Sequence, residues 1–134
     1  MMPFSRISVF LLCCLLSGCA MLSDKHKMEA YGRTIDSYET AMRISDFNVA
    51  CQYMDPDVLS HEDCMQRYEN VKIAGYNVNA AKVAEDKQKV DLKVELSYFL
   101  LDRYVVNKIK FEQSWQYEEK SKAWLLKTVP PDFK

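Results

Sequence analysis

The chain has little glycine, little histidine and no surplus of positive charge, and each shortage removes a class of function. Three glycines in 134 residues supply no glycine-rich loop in which backbone N–H groups cradle a phosphate. Eighteen Lys and Arg stand against nineteen Asp and Glu, a formal net charge of −1. With no basic stripe to neutralise phosphates, no nucleic-acid partner is expected. Of the two histidines, His61 lies near Cys64. With Cys51 it makes a Cys-His-Cys set one ligand short of a structural zinc site, and no cysteine pair has CxxC spacing. The expectation is therefore no metal and no other cofactor. Internal repeats and low-complexity tracts are also missing. What is present is 49% apolar and 28% charged residues, the balance of a folded domain in a length that suits one.

A long apolar span is missing too. Ile7 to Leu16 is an almost unbroken apolar run, but as a helix it reaches about 15 Å, half of a bilayer core. Arg6 precedes it and the small Ser17 and Gly18 follow, the layout of a secretory leader. The residues Leu16-Ser17-Gly18-Cys19 resemble the lipobox of bacterial lipoproteins. That resemblance implies cleavage before Cys19, with 1–18 as signal peptide, and acylation of the Cys19 thiol and its new amine. At ~0.8 kcal/mol per buried methylene, several acyl chains make a stable membrane anchor where one does not. Ala20 after the cysteine, in place of Asp, implies the bacterial outer membrane, with the periplasmic face as the site of display. Cys13 and Cys14 leave with the leader. Residues 19–27 read as the lipidated cysteine and a polar tether without periodicity, and 28–134 as a single domain.

Within that domain Met28, Tyr31, Ile35, Tyr38 and Met42 recur three and four apart, one face of a helix, with Ser23 or Asp24 as candidate caps. Ser45-Asp46 opens a short helix that Asp55-Pro56 ends, because the residue before proline is pushed out of the helical region. Ser60-His61-Glu62-Asp63 is a loose capping box for a third helix. Cys51 and Cys64 remain after cleavage. In an oxidising compartment a disulfide is the simplest reading, with buried unpaired thiols and a metal site as alternatives.

From Ile73 the period becomes two. Val90, Leu92, Val94, Leu96 and Tyr98 alternate with polar residues, as do Ile109, Phe111, Trp115 and Tyr117 in the following strand. Pairing Leu100 with Val105, Tyr98 with Asn107, Leu96 with Ile109 and Val94 with Phe111 puts both apolar sets on one side. A last strand, Ala123 to Val129, puts Trp124 and Leu126 inward and leaves Lys127 in solvent. The first strand, about Ile73 to Ala84, has no clear face. Asn77 and Asn79 point inward if it is regular and outward if a bulge forms near Gly75.

Helices followed by four antiparallel strands make an α+β domain, the helices packed on one face of a curved sheet. The helix carrying Tyr31 and Tyr38, the Ser45-Asp46-Phe47 helix ending at Asp55-Pro56, and the hairpin from Phe111 through Trp115 to Trp124 resemble the nuclear transport factor 2-like superfamily, with its ketosteroid isomerase and SnoaL-like enzymes. A cystatin-like sheet is the alternative. The resemblance implies a cone lined by Tyr31, Tyr38, Asn77, Asn79, Tyr98, Phe111, Trp115 and Trp124, which members use for catalysis, for small apolar ligands or simply as core. The residues themselves argue against catalysis. Asp91, Glu95 and Glu112 all fall on the outward face, no inward carboxylate is left on the central strands as a base, and the tyrosines read as core aromatics. On the outward face Phe99, Leu101, Tyr104 and Val106 form an apolar cluster of the kind that marks an interface, unless the helices or the Pro130-Pro131-Asp132-Phe133 segment fold over it. The expected function is a membrane-anchored, non-enzymatic interaction or assembly module with a protein partner or a second copy; small-ligand binding or isomerase-like activity in the cone is the alternative.

Overall fold

The structure is a computed structural model that describes residues 22–134 in full and residues 3–21 only as part of a helix, so residues 1–2 and the side chains of the expected leader and of Cys19 lie outside what it describes. In order, the elements are α1 (Pro3–Arg43), α2 (Phe47–Ala50), a 3₁₀ turn (Cys51–Tyr53), α3 (His61–Arg67), β1 (Val71–Val83), β2 (Lys89–Leu100), β3 (Arg103–Glu118) and β4 (Ala123–Leu126). The four strands form one sheet in the order β1-β2-β3-β4 with every neighbour antiparallel. This is the α+β arrangement that the change of period implies. The core lies between α1 and one sheet face, where Tyr38 and Met42 meet Val90, Leu92, Val94, Leu96 and Trp115, all nearly inaccessible. Each such burial contributes about 1.5–3 kcal/mol.

Residues 22–27 are helical, where a tether without periodicity was expected, and Lys27 at their end docks on the sheet. Periodicity reports which face of a helix is buried, and a helix that enters a domain propagates through good formers such as Lys25 and Lys27 without it. Trp124 Nε1 donates to the Lys27 carbonyl at 2.8 Å, and the Lys27 ammonium pairs with Glu119 at 3.0 Å and lies over the Tyr117 ring. Ser23 and Asp24 are therefore interior helical residues and do not cap. The other two caps form as expected: Asp46 accepts from the Val49 N–H and Ser60 from the Asp63 N–H. Ser45, at φ 60°, turns the chain out of α1, and its hydroxyl accepts from the Ile73 N–H at 2.9 Å.

Cys51 and Cys64 are paired as a disulfide, with Cα atoms 5.8 Å apart, and both are buried. The bridge joins the 3₁₀ turn to α3. Replacing Cys51 with Ser is expected to lower the unfolding free energy by about 2–3 kcal/mol, the loop-entropy value for a closure of this length. Denaturation with and without reductant checks this: the reductant should shift the wild type and leave Cys51→Ser unmoved.

The sheet register matches the apolar pattern from Val94↔Phe111 through Leu96↔Ile109 to Tyr98↔Asn107. Past Tyr98 it departs from the expectation. Leu100 pairs with Arg103 rather than Val105, because a tight Leu101-Asp102 turn closes the hairpin and the Leu101 N–H is taken by the Asn70 carbonyl. The surplus residues Tyr104, Val105 and Val106 bulge opposite Phe99. In β1, irregularities between Ile73 and Gly75 and between Val78 and Ala80 shift the phase. The first brings Tyr76 into the core, and Asn77 and Asn79 are exposed instead of lining a cavity. A bulge inserts one residue and so exchanges the two faces beyond it. β4 ends at Leu126 rather than Val129. Its outer edge is covered by the parallel bridge from Met54, and the Asp55 N–H donates to the Leu126 carbonyl.

Candidate functional site

The interior of the cone is filled, and a glutamine organises it. Gln113 lies between Phe111 and Trp115 on the inward parity of β3 and is buried. Its Oε1 accepts from the Tyr76 hydroxyl at 3.0 Å and from Trp115 Nε1 at 3.3 Å, and its Nε2 donates to the Tyr38 oxygen at 3.3 Å. The orientation of the amide is forced. An indole N–H only donates, so the atom facing Trp115 is the carbonyl oxygen and the amino group faces Tyr38. Tyr38 also packs edge-on against Trp115 and Tyr76, with ring centres 5.0 and 6.1 Å away. Among the described residues no buried side-chain polar atom lacks a partner.

Burial pushes the Tyr38 phenol up to about 12, against a smaller downward pull from hydrogen bonds with Tyr68 and Gln113. Tyr31, half-buried edge-on against Trp124, is likewise raised to about 12 by desolvation, with the Glu39 charge adding to it. Desolvation also lifts Tyr68 and Tyr76. These hydroxyls hold their protons at any physiological pH and serve as donors and acceptors within the core. Tyr98 points its hydroxyl at the Lys134 carbonyl at 3.2 Å, and Phe133 packs on Tyr98 and Tyr68. The C-terminal segment thus closes the mouth of the cone and does not cover the outward cluster. Phe111 is half-buried and Trp124 fully buried. Six of the eight expected lining residues therefore meet the interior, as packing.

One buried carboxylate escaped the sequence reading. Asp55, which was read only as a helix terminator, receives the Lys127 ammonium, and Lys127 also binds Glu118. Lys127 was expected in solvent, but its side chain is largely buried, because β4 stops at Leu126 and the chain turns it toward the Asp55 loop. The Lys127 hydrogen bond, followed by the Asp57 N–H, holds the Asp55 carboxyl below its ordinary range. A carboxylate so lowered and so paired locks two loops together and is poorly suited to take a proton. Asp91 and Glu112 are exposed, as expected for the outward face. His61 is exposed and bonds Asn48. Among the described residues no group of His, Cys, Asp and Glu is arranged to hold a metal, and no helix is long and apolar enough to cross a membrane.

Concavities open on the surface of the described residues. One of about 570 Å³ runs between α3 and the C-terminal segment, lined by Asp63, Arg67, Asp132 and Phe133. Another of about 550 Å³ crosses the outer sheet face among Lys82, Lys89, Asp91 and Glu112. Apolar exposure is concentrated elsewhere, at the β2–β3 tip. Tyr104 is 84% exposed, Val105 65%, Val106 58% and Leu101 50%. Phe99 is half-buried beside Tyr104, with ring centres 6.0 Å apart. Val105 was missed by the sequence reading, because regular alternation put it inward beside Leu100; the bulge releases it.

No protein-family model matches the chain, and no curated protein does. Similar solved structures include the solution structure of a SEC-C motif containing protein from Rhodopseudomonas palustris. It is 11% identical, with 66% of this chain and 68% of that one covered and a TM-score of 0.52. At that identity the likeness is one of fold alone.

Proposed function

We propose that this chain is a bacterial lipoprotein, held on the periplasmic face of the outer membrane by acylated Cys19, whose nuclear transport factor 2-like domain is a non-enzymatic interaction or assembly module. The observation that carries the reading is the distribution of apolar surface. Inside, the aromatic groups are packed and their polar atoms paired around Gln113. Outside, Leu101, Tyr104, Val105 and Val106 stand together in water at one tip. A tip of that kind needs a partner more than a cone so filled needs a ligand. The residues Leu16-Ser17-Gly18-Cys19 support the anchor.

The placement of the elements suits this role. α1 meets the sheet at the β3–β4 turn, through Lys27, Glu119 and Trp124, while the tip is at the opposite end of the β2–β3 ladder. β2 alone, Lys89–Leu100, spans about 40 Å at ~3.3 Å per residue. A domain anchored through α1 therefore carries its tip about one strand length from the anchored end. Tyr104→Asp is expected to abolish association, read by chemical cross-linking in native membranes, while stability changes by no more than about 0.5 kcal/mol, as is usual for an exposed site. Unchanged cross-linking of a folded Tyr104→Asp protein would sink the reading.

A further inference from the structure

β4 covers only the last four residues of β3, Trp115–Glu118, and this leaves most of that side of a sixteen-residue strand open. The Ser114 N–H donates to Thr128 Oγ1 and its carbonyl accepts from the Lys127 N–H. Even-numbered residues therefore turn their backbone groups toward this edge. From Asn107 to Gln116 the register with β2 is unbroken, so Lys108, Lys110 and Glu112 do the same. Among the described residues no backbone group bonds to them there. An unpaired row of this kind is a template for another strand.

We propose that the strand which fills it is β3 of a second copy, antiparallel about a two-fold axis at Lys110. The charge pattern selects this occupant. About that axis Lys108 faces the partner's Glu112 and Glu112 the partner's Lys108, while Ile109 and Phe111, both half-buried, cross on the inner face. The two Lys110 side chains meet at the axis, each paired with Glu95 on β2 at 3.7 Å. Shifting the axis to Ile109 sets Lys108 against Lys110 twice. Shifting it to Phe111 sets Lys110 against Glu112 but brings Lys108 level with Ser114, whose backbone groups Thr128 and Lys127 already take, and it leaves five residues, 109–113, free where the Lys110 axis leaves seven, 107–113. The other open edge, β1, lacks this property. Over Val71–Val83 it carries Lys72 and Lys82, no carboxylate and two bulges.

The same axis gives the exposed tip its occupant. Tyr104, Val105 and Val106 of one copy fall level with Gln116, Trp115 and Ser114 of the other, where β4 and Thr128–Val129 already occupy the edge. The ladder between copies therefore ends before Tyr104–Val106, where the pairing with β2 is also irregular, and the exposed side chains there fall level with the end of the partner's β4, beside Val129, itself 38% exposed. The proposal rests on reading the tip as an interaction surface and names its partner.

The test uses full-length protein in native membranes, oxidised with copper phenanthroline. Directly paired residues of an antiparallel ladder have Cα atoms about 5.5 Å apart, within disulfide reach. Lys110→Cys is expected to give a disulfide-linked dimer. Lys108→Cys alone should give none, and co-expressed Lys108→Cys and Glu112→Cys chains should give a dimer. A photo-reactive phenylalanine at Tyr104 should yield an adduct of twice the chain mass. Absence of the Lys110→Cys dimer overturns the proposal, as does equal self-linking of Lys108→Cys. An adduct of another mass without the Lys110→Cys dimer overturns the second-copy partner and spares the interaction reading. Neither dimer nor adduct sinks both.

Discussion

Gln113→Leu should lose about 3–5 kcal/mol of unfolding free energy, a large part of what a domain of this size has. The substitution keeps the bulk and removes one acceptor and one donor. Tyr76 and Trp115 then each hold a buried N–H or O–H with nowhere to donate, and the Tyr38 oxygen loses the amide. An abandoned buried polar group costs about 1–3 kcal/mol, far more than the net worth of the hydrogen bond it once made. Chemical denaturation reads the difference. If Gln113→Leu were within 1 kcal/mol of wild type by that scale, the groups around it would have to be finding water, and the interior would have room for a ligand after all.

The second large effect belongs to Lys127. Lys127→Met leaves the buried Asp55 carboxylate with only the Asp57 N–H and should cost about 3 kcal/mol, the usual penalty for removing one partner of a buried pair. The pH dependence gives an independent check. Asp55 is held below its ordinary range by the Lys127 hydrogen bond first. Its contribution is therefore complete above about pH 4, the ordinary value for an unfolded aspartate, and is lost as the pH falls through the lower folded value. Lys127 is raised, by its hydrogen bonds to Asp55 and Glu118, so its contribution is complete below the ordinary lysine range and is lost only as the pH rises through the higher folded value. Wild type should therefore weaken in acid, and Lys127→Met should start lower but weaken less. An acid limb equally steep in both proteins would remove Asp55 and Lys127 from the account.

How far the fold could be read from the residues depended on whether a local rule decided each element. Val90 through Tyr98 alternates without a break, and one face is wholly buried, so its pairing with β3 follows from the pattern alone. The caps at Asp46 and Ser60 are equally local. β1 resisted because its two bulges change which residues share a face, and Ala74-Gly75 and Asn79-Ala80 carry no bulky side chain to reveal the phase. The docked segment before Met28 resisted because its fixing contacts, to Trp124 and Glu119, lie more than ninety residues away. Gln113 was legible in principle: Phe111, Trp115 and Tyr117 share its parity, and any residue there must face inward. Glutamine reads as polar and outward only until its neighbours are counted as donors. The apolar cluster at the tip is visible in the sequence but its pairing is not, since nothing in Leu101 to Val106 says how many residues the turn keeps.

The proposed function rests on the proposed lipid anchor at Cys19. Labelled palmitate supplied to growing cells, followed by membrane fractionation, tests this most directly. The account predicts label on the wild type, which sediments with the outer membrane, and none on Cys19→Ser. Equal labelling of the two, or none on either, would contradict it.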